Sequence, residues 1–296
     1  MSASEGAARP ALFCFGLGYT AGFLARAFAG EGWRIAGTSR DAVGCARLAA
    51  DGFDVAVLAP SHPLAAPATA LSGVTHLLAS VPPDAAGDPV LALHGGDIAA
   101  LTQLRWVGYL STTGVYGDRA GGWVEEGSAL APSGERGRRR VVAEAQWLDL
   151  WRRHGLPVHI FRLAGIYGPG RSALDTVRKG QGRRIDKPGQ VFSRVHVADI
   201  VATLRASMAR PNPGAVYNVC DDDPAPPEAV IAHACALLGV PPPPLLPFEA
   251  AALSPMARSF YDDNKRVSNR RIKEQLGVRL RYPSYRDGLK ALLDPA

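Results

Sequence analysis

ALFCFGLGYTAGFLARAFAGEGWRIAGTSR, residues 11–40, is the stretch that decides how this 296-residue chain is read. Ala11 to Phe15 is a short apolar run of strand type, and Gly16-Leu17-Gly18-Tyr19-Thr20-Ala21 spaces small residues as G-x-G-x-x-A. Phe23 to Phe28 then carries helical periodicity, and Trp33 to Gly37 resumes a strand. Strand, glycine turn, helix and strand in that order make a dinucleotide-binding unit. Gly16 supplies the tight turn, Gly18 the bare backbone that a pyrophosphate approaches, and Ala21 close packing of helix on strand. The helix N-terminus, opening on Tyr19 and Thr20, faces the phosphates. Gly16, Gly18, Tyr19 and Thr20 are the expected cofactor-binding residues.

The second strand ends in Thr38-Ser39-Arg40, where an NAD site usually offers an acidic side chain to the ribose 2′-hydroxyl. No carboxylate precedes Asp41 there. Ser39 and Arg40 are suited instead to a 2′-phosphate, because guanidinium binds phosphate through charge-assisted, often bidentate hydrogen bonds. NADP is therefore expected over NAD.

With 47% hydrophobic and 20% charged residues the chain has an ordinary globular composition. The net charge of +6 is scattered except at Arg136–Arg140, and no aromatic-interleaved basic motif accompanies it. An anionic small molecule accounts for that balance more simply than nucleic acid does. Cys14, Cys45, Cys220 and Cys235 lack C-x-x-C spacing, which fits a reducing cytoplasm. Residues 11–29 are apolar, but Arg9 stands against Glu5 before them and the glycine turn interrupts the run, so export and membrane spanning are rejected. His94 and Asp97 form the nearest approach to metal-ligand spacing; with no third ligand, a loop without metal is expected there.

Residues 1–10 read as a disordered leader. Asp54–Ala59 and Thr75–Val81 are short apolar runs expected to be the third and fourth strands of a parallel sheet. The fourth ends in Ser80-Val81-Pro82-Pro83, and Val81 is placed at the carboxyl edge where ligands sit. Arg105–Leu110 is the expected fifth strand, followed by Ser111-Thr112-Thr113-Gly114-Val115-Tyr116-Gly117, with Ser111 a further cofactor contact.

From this point the sequence resembles the extended and atypical short-chain dehydrogenases, which include nucleotide-sugar epimerases and dehydratases. The hydroxyl run into V-Y-G carries the resemblance first. Val158–Gly170, VHIFRLAGIYGPG, is similar to the family's sixth strand with its R-x-x-x-x-Y-G-P-G exit. FSRVHVADI at 192–200, VYNV at 216–219 and the segment Asn264–Gly277 are similar to later family segments in the same order. Asp199 is read as the N-cap of a helix running through Met208. The resemblance implies an α/β fold: a Rossmann-type doubly wound, mostly parallel sheet over residues 11–166, with a smaller C-terminal substrate-side subdomain over 167–296 interleaved with that core. The prolines from Pro211 onward imply short helices tied by rigid connectors.

In that family a Y-x-x-x-K pair drives proton transfer beside the nicotinamide. The matching helix here contains Val141–Leu148, and counting back from Ala143-Glu144 puts Arg140 at the lysine and Arg136 at the tyrosine. No register restores the pair, because no tyrosine lies between Tyr116 and Tyr167 and the first lysine of the chain is Lys179. Arginine offers donors only, so it replaces the lysine's grip on ribose but not the tyrosine's proton. The remaining proton-transfer candidates are Thr112, which aligns with the family's catalytic Ser/Thr, then Tyr116, Tyr167, Glu125, Glu126 or a water. Thr112 and Arg140 are the expected catalytic residues. The cations at 136–140 read either as a solvated face, paired Glu135 with Arg139 and Arg140 with Glu144, or as groups reaching a phosphorylated or carboxylated substrate.

The resulting expectation is an NADP-dependent oxidoreductase or epimerase-like enzyme moving a hydride on a hydroxyl or carbonyl of a small molecule, with a nucleotide-linked sugar as one substrate class. A protein that senses NADP(H) without turnover is the alternative. The helix from Arg136 to Trp151 carries enough apolar surface to serve a homodimer.

Overall fold

The computed structural model describes residues 9–60 and 62–293, so the proposed leader lies outside it except for Arg9 and Pro10. Pro10 is already tied in, its carbonyl accepting from the Arg34 N–H at 3.0 Å.

Strand and helix alternate from the start: β1 (Ala11–Phe15), α1 (Tyr19–Gly30), β2 (Arg34–Ser39), α2 (Ala42–Ala50), β3 (Asp54–Val57), α3 (Pro67–Ala70), β4 (His76–Ala79), α4 (Pro89–Ala99) and β5 (Trp106–Thr112). A 3-10 turn at Thr113–Tyr116 leads to β6 (Trp123–Val124), α5 (Glu135–His154), β7 (Val158–Leu163), β8 (Gly165–Tyr167), α6 (Ala173–Arg178), β9 (Arg184–Asp186), β10 (Arg194–His196), α7 (Val197–Ala209) and β11 (Val216–Val219). The chain closes through α8 (Pro227–Leu237), β12 (Leu245–Pro247), α9 (Pro255–Ser259), β13 (Arg266–Val267), α10 (Arg270–Leu276) and α11 (Tyr285–Leu293).

The central sheet is parallel and seven-stranded, in the order β11-β7-β5-β4-β1-β2-β3, with helices on its faces. This is the Rossmann-type arrangement that the sequence implies. Strand order reverses between β1 and β4, and ligands of such sheets lie beyond the carboxyl ends of the strands at that point. β1 is buried along its whole length, as a strand covered on both faces requires.

The chain divides into two compact units, the second made of Ser111–Val141, Phe161–Arg210 and Val216–Ala296 and the first of the segments around it. In the first unit Asp88 does two jobs. Its Oδ1 accepts from the N–H groups of Val90 and Leu91 and so caps α4, while Oδ2 accepts from the buried Trp147 indole N–H at 2.9 Å. That one carboxylate fixes the start of α4 to the flank of α5. Replacing Trp147 by Ala is expected to cost about 3–5 kcal/mol by the usual penalty for emptying such a site.

In the second unit β8 pairs with β10, β12 with β9 and β13 with β6, all in parallel. Short helices separated by turns fill the rest, as the proline-rich tail implies. α10 ends on Gly277 in the left-handed conformation, φ 69°, the terminator that glycine serves without steric cost.

The structure departs from the sequence reading at several places. β5 runs on to Thr112, so the first hydroxyls belong to the strand and not to its exit. β3 stops at Val57, two residues early. His94 and Asp97 are not on a loop but on α4, where His94 Nδ1 meets Asp97 Oδ2 at 2.9 Å and Nε2 accepts from the Leu64 N–H. His196 and not Asp199 caps α7; the buried Asp199 carboxylate instead accepts from the N–H groups of Arg281 and Tyr282 at 2.7 and 3.1 Å. Its acceptor capacity goes to the chain entering α11, a partner too distant in sequence for helix-start rules to find. Among the described residues no helix is long and apolar enough to cross a membrane.

Candidate nucleotide cradle and strand-end network

The cradle in the first unit is built around Gly16, whose φ of 85° favours glycine. Its N–H donates to Thr38 Oγ1 at 2.9 Å and its carbonyl accepts from Ser80 Oγ at 2.6 Å. Leu17 N–H adds a bond to the Thr38 carbonyl at 2.8 Å. The turn is therefore clasped from β2 on one side and from the end of β4 on the other. A methyl group on Gly16 would stand 3.0 Å from Ser80 Oγ and 3.1 Å from Val81 Cγ2.

Gly18 has the opposite environment. It is exposed, it begins α1 with no side chain capping the helix, and a Cβ built on it meets no protein atom within 4 Å. The space above it suits a pyrophosphate, whose negative charge the helix N-terminus favours. Tyr19 lies half-buried with its ring edge-on to Phe23, and Thr20 and Ala21 are buried against the sheet. A Cβ on Gly37 would collide with the Cys14 carbonyl, so β2 runs beside the turn at the closest approach that a backbone allows.

At the end of β2, Ser39 is half-buried with its hydroxyl against Gly44 of α2. Arg40 is exposed and has no hydrogen-bond or ion-pair partner among the described residues. Asp41, the first carboxylate available, caps α2 by accepting from the Gly44 N–H at 2.7 Å. The cradle's residues thus fit a dinucleotide, with an exposed cation at Arg40 and the neighbouring Asp41 carboxylate occupied by its cap.

The second unit holds the remaining candidates. Ser111 is buried near the end of β5. Thr112 Oγ1 accepts from the Gly114 N–H at 3.1 Å, which caps the 3-10 turn and leaves the hydroxyl proton available for donation. Tyr116 is fully buried; its hydroxyl donates to Asn218 Oδ1 at 2.7 Å and accepts from Arg162 Nη1 at 2.9 Å. Arg162 also donates to the Glu126 carbonyl, and Glu126 Oε1 accepts from the Asn218 N–H at 2.8 Å. Burial is the main force raising the Tyr116 pKa, opposed by Arg162. The hydroxyl is fixed in a network and not free to exchange protons with a substrate.

Tyr167 is likewise committed. Its hydroxyl donates to the Ser284 carbonyl at 3.3 Å beneath Gly288 of α11, and burial first, then the carboxylates of Asp221, Asp199 and Asp287, push its pKa up. Glu125 is exposed beside Arg270. On α5 the Glu135 carboxylate holds both Arg138 and Arg139, at 3.0 and 3.1 Å. Arg140 is half-buried one turn further on. Arg136 is exposed with its guanidinium over the Phe260 ring, 5.4 Å from the centroid.

Arg162 and Asn218 were absent from the expected set. The signal was available: an arginine inside the apolar strand VHIFRL and an asparagine inside VYNV must be paired if those strands are central. Deeper in this unit Asp221 is buried, and its Oδ2 has no hydrogen-bond partner among the described residues. Burial pushes its pKa up to about 8, against the pull of Arg194.

No family model matches the sequence. A solved structure of a functionally unknown conserved protein from Silicibacter pomeroyi is 57% identical, covers 96% of this chain and 98% of its own, and superposes with a TM-score of 0.89. The chain belongs to that protein's family. Protein YeeZ of Escherichia coli K12 is 29% identical over 288 residues, 90% of this chain and 94% of its own length. A 3-diazoavenalumate denitrifying reductase from Streptomyces is 32% identical over 141 residues, 44% of this chain and 45% of that protein. Solved NAD-dependent epimerase- and dehydratase-like enzymes share the fold at low identity. The dTDP-glucose 4,6-dehydratase of Bacillus anthracis, in complex with NAD, has a TM-score of 0.76 at 15% identity, with 97% of this chain and 96% of that chain covered.

Proposed function

We propose that this chain is an NADP-dependent oxidoreductase that moves a hydride to or from a carbonyl, hydroxyl or related carbon of a small anionic substrate. The observation that carries the reading is the cradle: a positive-φ Gly16 clasped by Thr38 and Ser80, followed by a bare Gly18 at an uncapped helix start. The open Arg40 beside an occupied Asp41 favours the 2′-phosphate. The nicotinamide, when bound, supplies or accepts the hydride.

This chain's residues then have limited work. Gly16, Gly18, Tyr19 and Thr20 hold the pyrophosphate, Ser39 and Arg40 the 2′-phosphate, and Val81 and Ser111 the walls of the site. Thr112 offers a hydroxyl proton to a developing oxyanion, and Arg140 grips ribose hydroxyls. With Tyr116 and Tyr167 committed elsewhere, neither serves as the acid, so the substrates best served are those needing little protonation by these tyrosines. The reductase name of the Streptomyces relative supports an enzyme. The committed tyrosines equally favour a second reading, a sensor that binds NADP(H) without turnover.

Thr112→Ala separates the two. In an enzyme it lowers kcat by more than tenfold or so, with a small change in cofactor affinity. A sensor keeps its NADPH binding and shows no rate to lose. Thr112→Ser, which retains both the hydroxyl and the cap, recovers the rate in the first case.

A further inference from the structure

The first turn of α5 offers one uncommitted guanidinium. Arg138 and Arg139 are both drawn to Glu135, whereas Arg136 has no acidic or hydrogen-bonding partner among the described residues and lies over the Phe260 ring. Phe260 is itself 53% exposed, an apolar face left open to solvent. Gly137, next to Arg136, is buried so tightly that a Cβ would stand 2.6 Å from Pro132 Cβ and 2.8 Å from the Gly114 carbonyl. The start of α5 is thereby pressed on the turn that Thr112 caps. The Phe260 segment is braced too: Tyr261 packs on Phe248, whose ring also receives Lys187 and Arg258, and Lys187 Nζ donates to the Tyr261 carbonyl.

We infer that Arg136 and Phe260 form the binding site for the carboxylate of a planar, conjugated acid, and that such an acid is the substrate class of this chain. The assignment rests on the oxidoreductase reading for the word substrate. A guanidinium stacked on an aromatic face keeps an outer edge for two parallel bonds to carboxylate oxygens, and the exposed ring takes the flat apolar body beside it. A nucleoside diphosphate needs several converging cations, and Glu135 has already engaged the two neighbouring arginines.

The test uses the full chain and calorimetric titration with trans-cinnamate, cyclohexanecarboxylate, UDP and inorganic phosphate, each with and without saturating NADPH. Cinnamate is expected to bind more tightly than cyclohexanecarboxylate, phosphate or UDP. Arg136→Gln weakens cinnamate about tenfold or more, and Arg136→Lys, which keeps the charge but loses the fork, falls between. Phe260→Leu removes the preference for cinnamate over cyclohexanecarboxylate. Because both side chains are exposed, thermal melting of the variants is expected to match the parent, and NADPH affinity to be unchanged in both. An unaltered cinnamate affinity in Arg136→Gln overturns the assignment, as does UDP binding more tightly than cinnamate, or no cinnamate binding by the parent protein at about 5 mM. Failure of NADPH to bind strikes the oxidoreductase reading instead, and the titrations without it still decide the carboxylate site.

Discussion

The hydroxyl of Tyr116 sits 2.7 Å from Oδ1 of Asn218, to which it donates, and 2.9 Å from Nη1 of Arg162, from which it accepts. All three side chains are buried, and the bonds join the turn after β5 to residues of β7 and β11. Tyr116 is thus held as a tie between segments distant in sequence.

Tyr116→Phe is therefore expected to act on stability more than on function. Removing the hydroxyl leaves a buried amide oxygen and a guanidinium short of a partner, a loss of about 1–3 kcal/mol. Urea unfolding reads this directly, and NADPH affinity should stay within about twofold. A variant as stable as the parent but unable to turn over would return Tyr116 to the catalytic set.

Gly137→Ala reverses the usual helix rule. Gly96 lies on α4, and a methyl group added there would meet nothing within 4 Å, so Gly96→Ala should stabilise by about 1 kcal/mol through helix propensity. At Gly137 the same change meets Pro132 and the Gly114 carbonyl and should destabilise by about 1–3 kcal/mol. Opposite signs in two thermal melts are the expected result.

The pH dependence of stability has two limbs. The Asp221 carboxyl is pushed up to about 8 by burial, so the folded chain holds a proton that the unfolded chain loses near pH 4. Stability from that group is complete below about pH 4 and is lost as pH rises toward 8. On the acid side, His159 Nε2 accepts from the Asn212 N–H at 2.9 Å and Nδ1 faces the Val107 carbonyl, while burial lowers its pKa to about 4. Its neutral form supports the fold above the ordinary histidine range, and that support is lost as pH falls toward 4. Asp221→Asn should flatten the alkaline limb of a melting-temperature profile and leave the acid limb in place.

Arg40→Ala tests cofactor choice. Loss of a guanidinium from a 2′-phosphate should lower NADP affinity about tenfold or more while NAD changes little. An unchanged NADP-to-NAD affinity ratio would remove Arg40 from the 2′-phosphate site.

The order of elements was legible because it is written locally: β1 spans the residues read from its apolar run, and the glycine turn is set by spacing alone. Contacts between distant segments were not. Thr38 of β2 and Ser80 just beyond β4 hold Gly16, Asp199 serves the chain at 281–282 in place of its own helix, and Arg136 meets Phe260 across more than a third of the sequence. Periodicity and capping rules describe neighbours along the chain; these pairs are chosen by tertiary packing. Arg162 and Asn218 stand between the two cases, since a polar residue within a central strand announces a partner without naming it.

The most direct test of the cradle is a calorimetric titration of the parent chain and Gly18→Ala with NADPH, NADP, NADH and NAD. Space above Gly18 holds no protein atom within 4 Å, so the added methyl should leave the melting temperature unchanged. Micromolar binding of the phosphorylated forms by the parent is expected, weakened about tenfold or more by that single methyl. No binding of any nucleotide by the parent, or equal binding by both proteins, would contradict it.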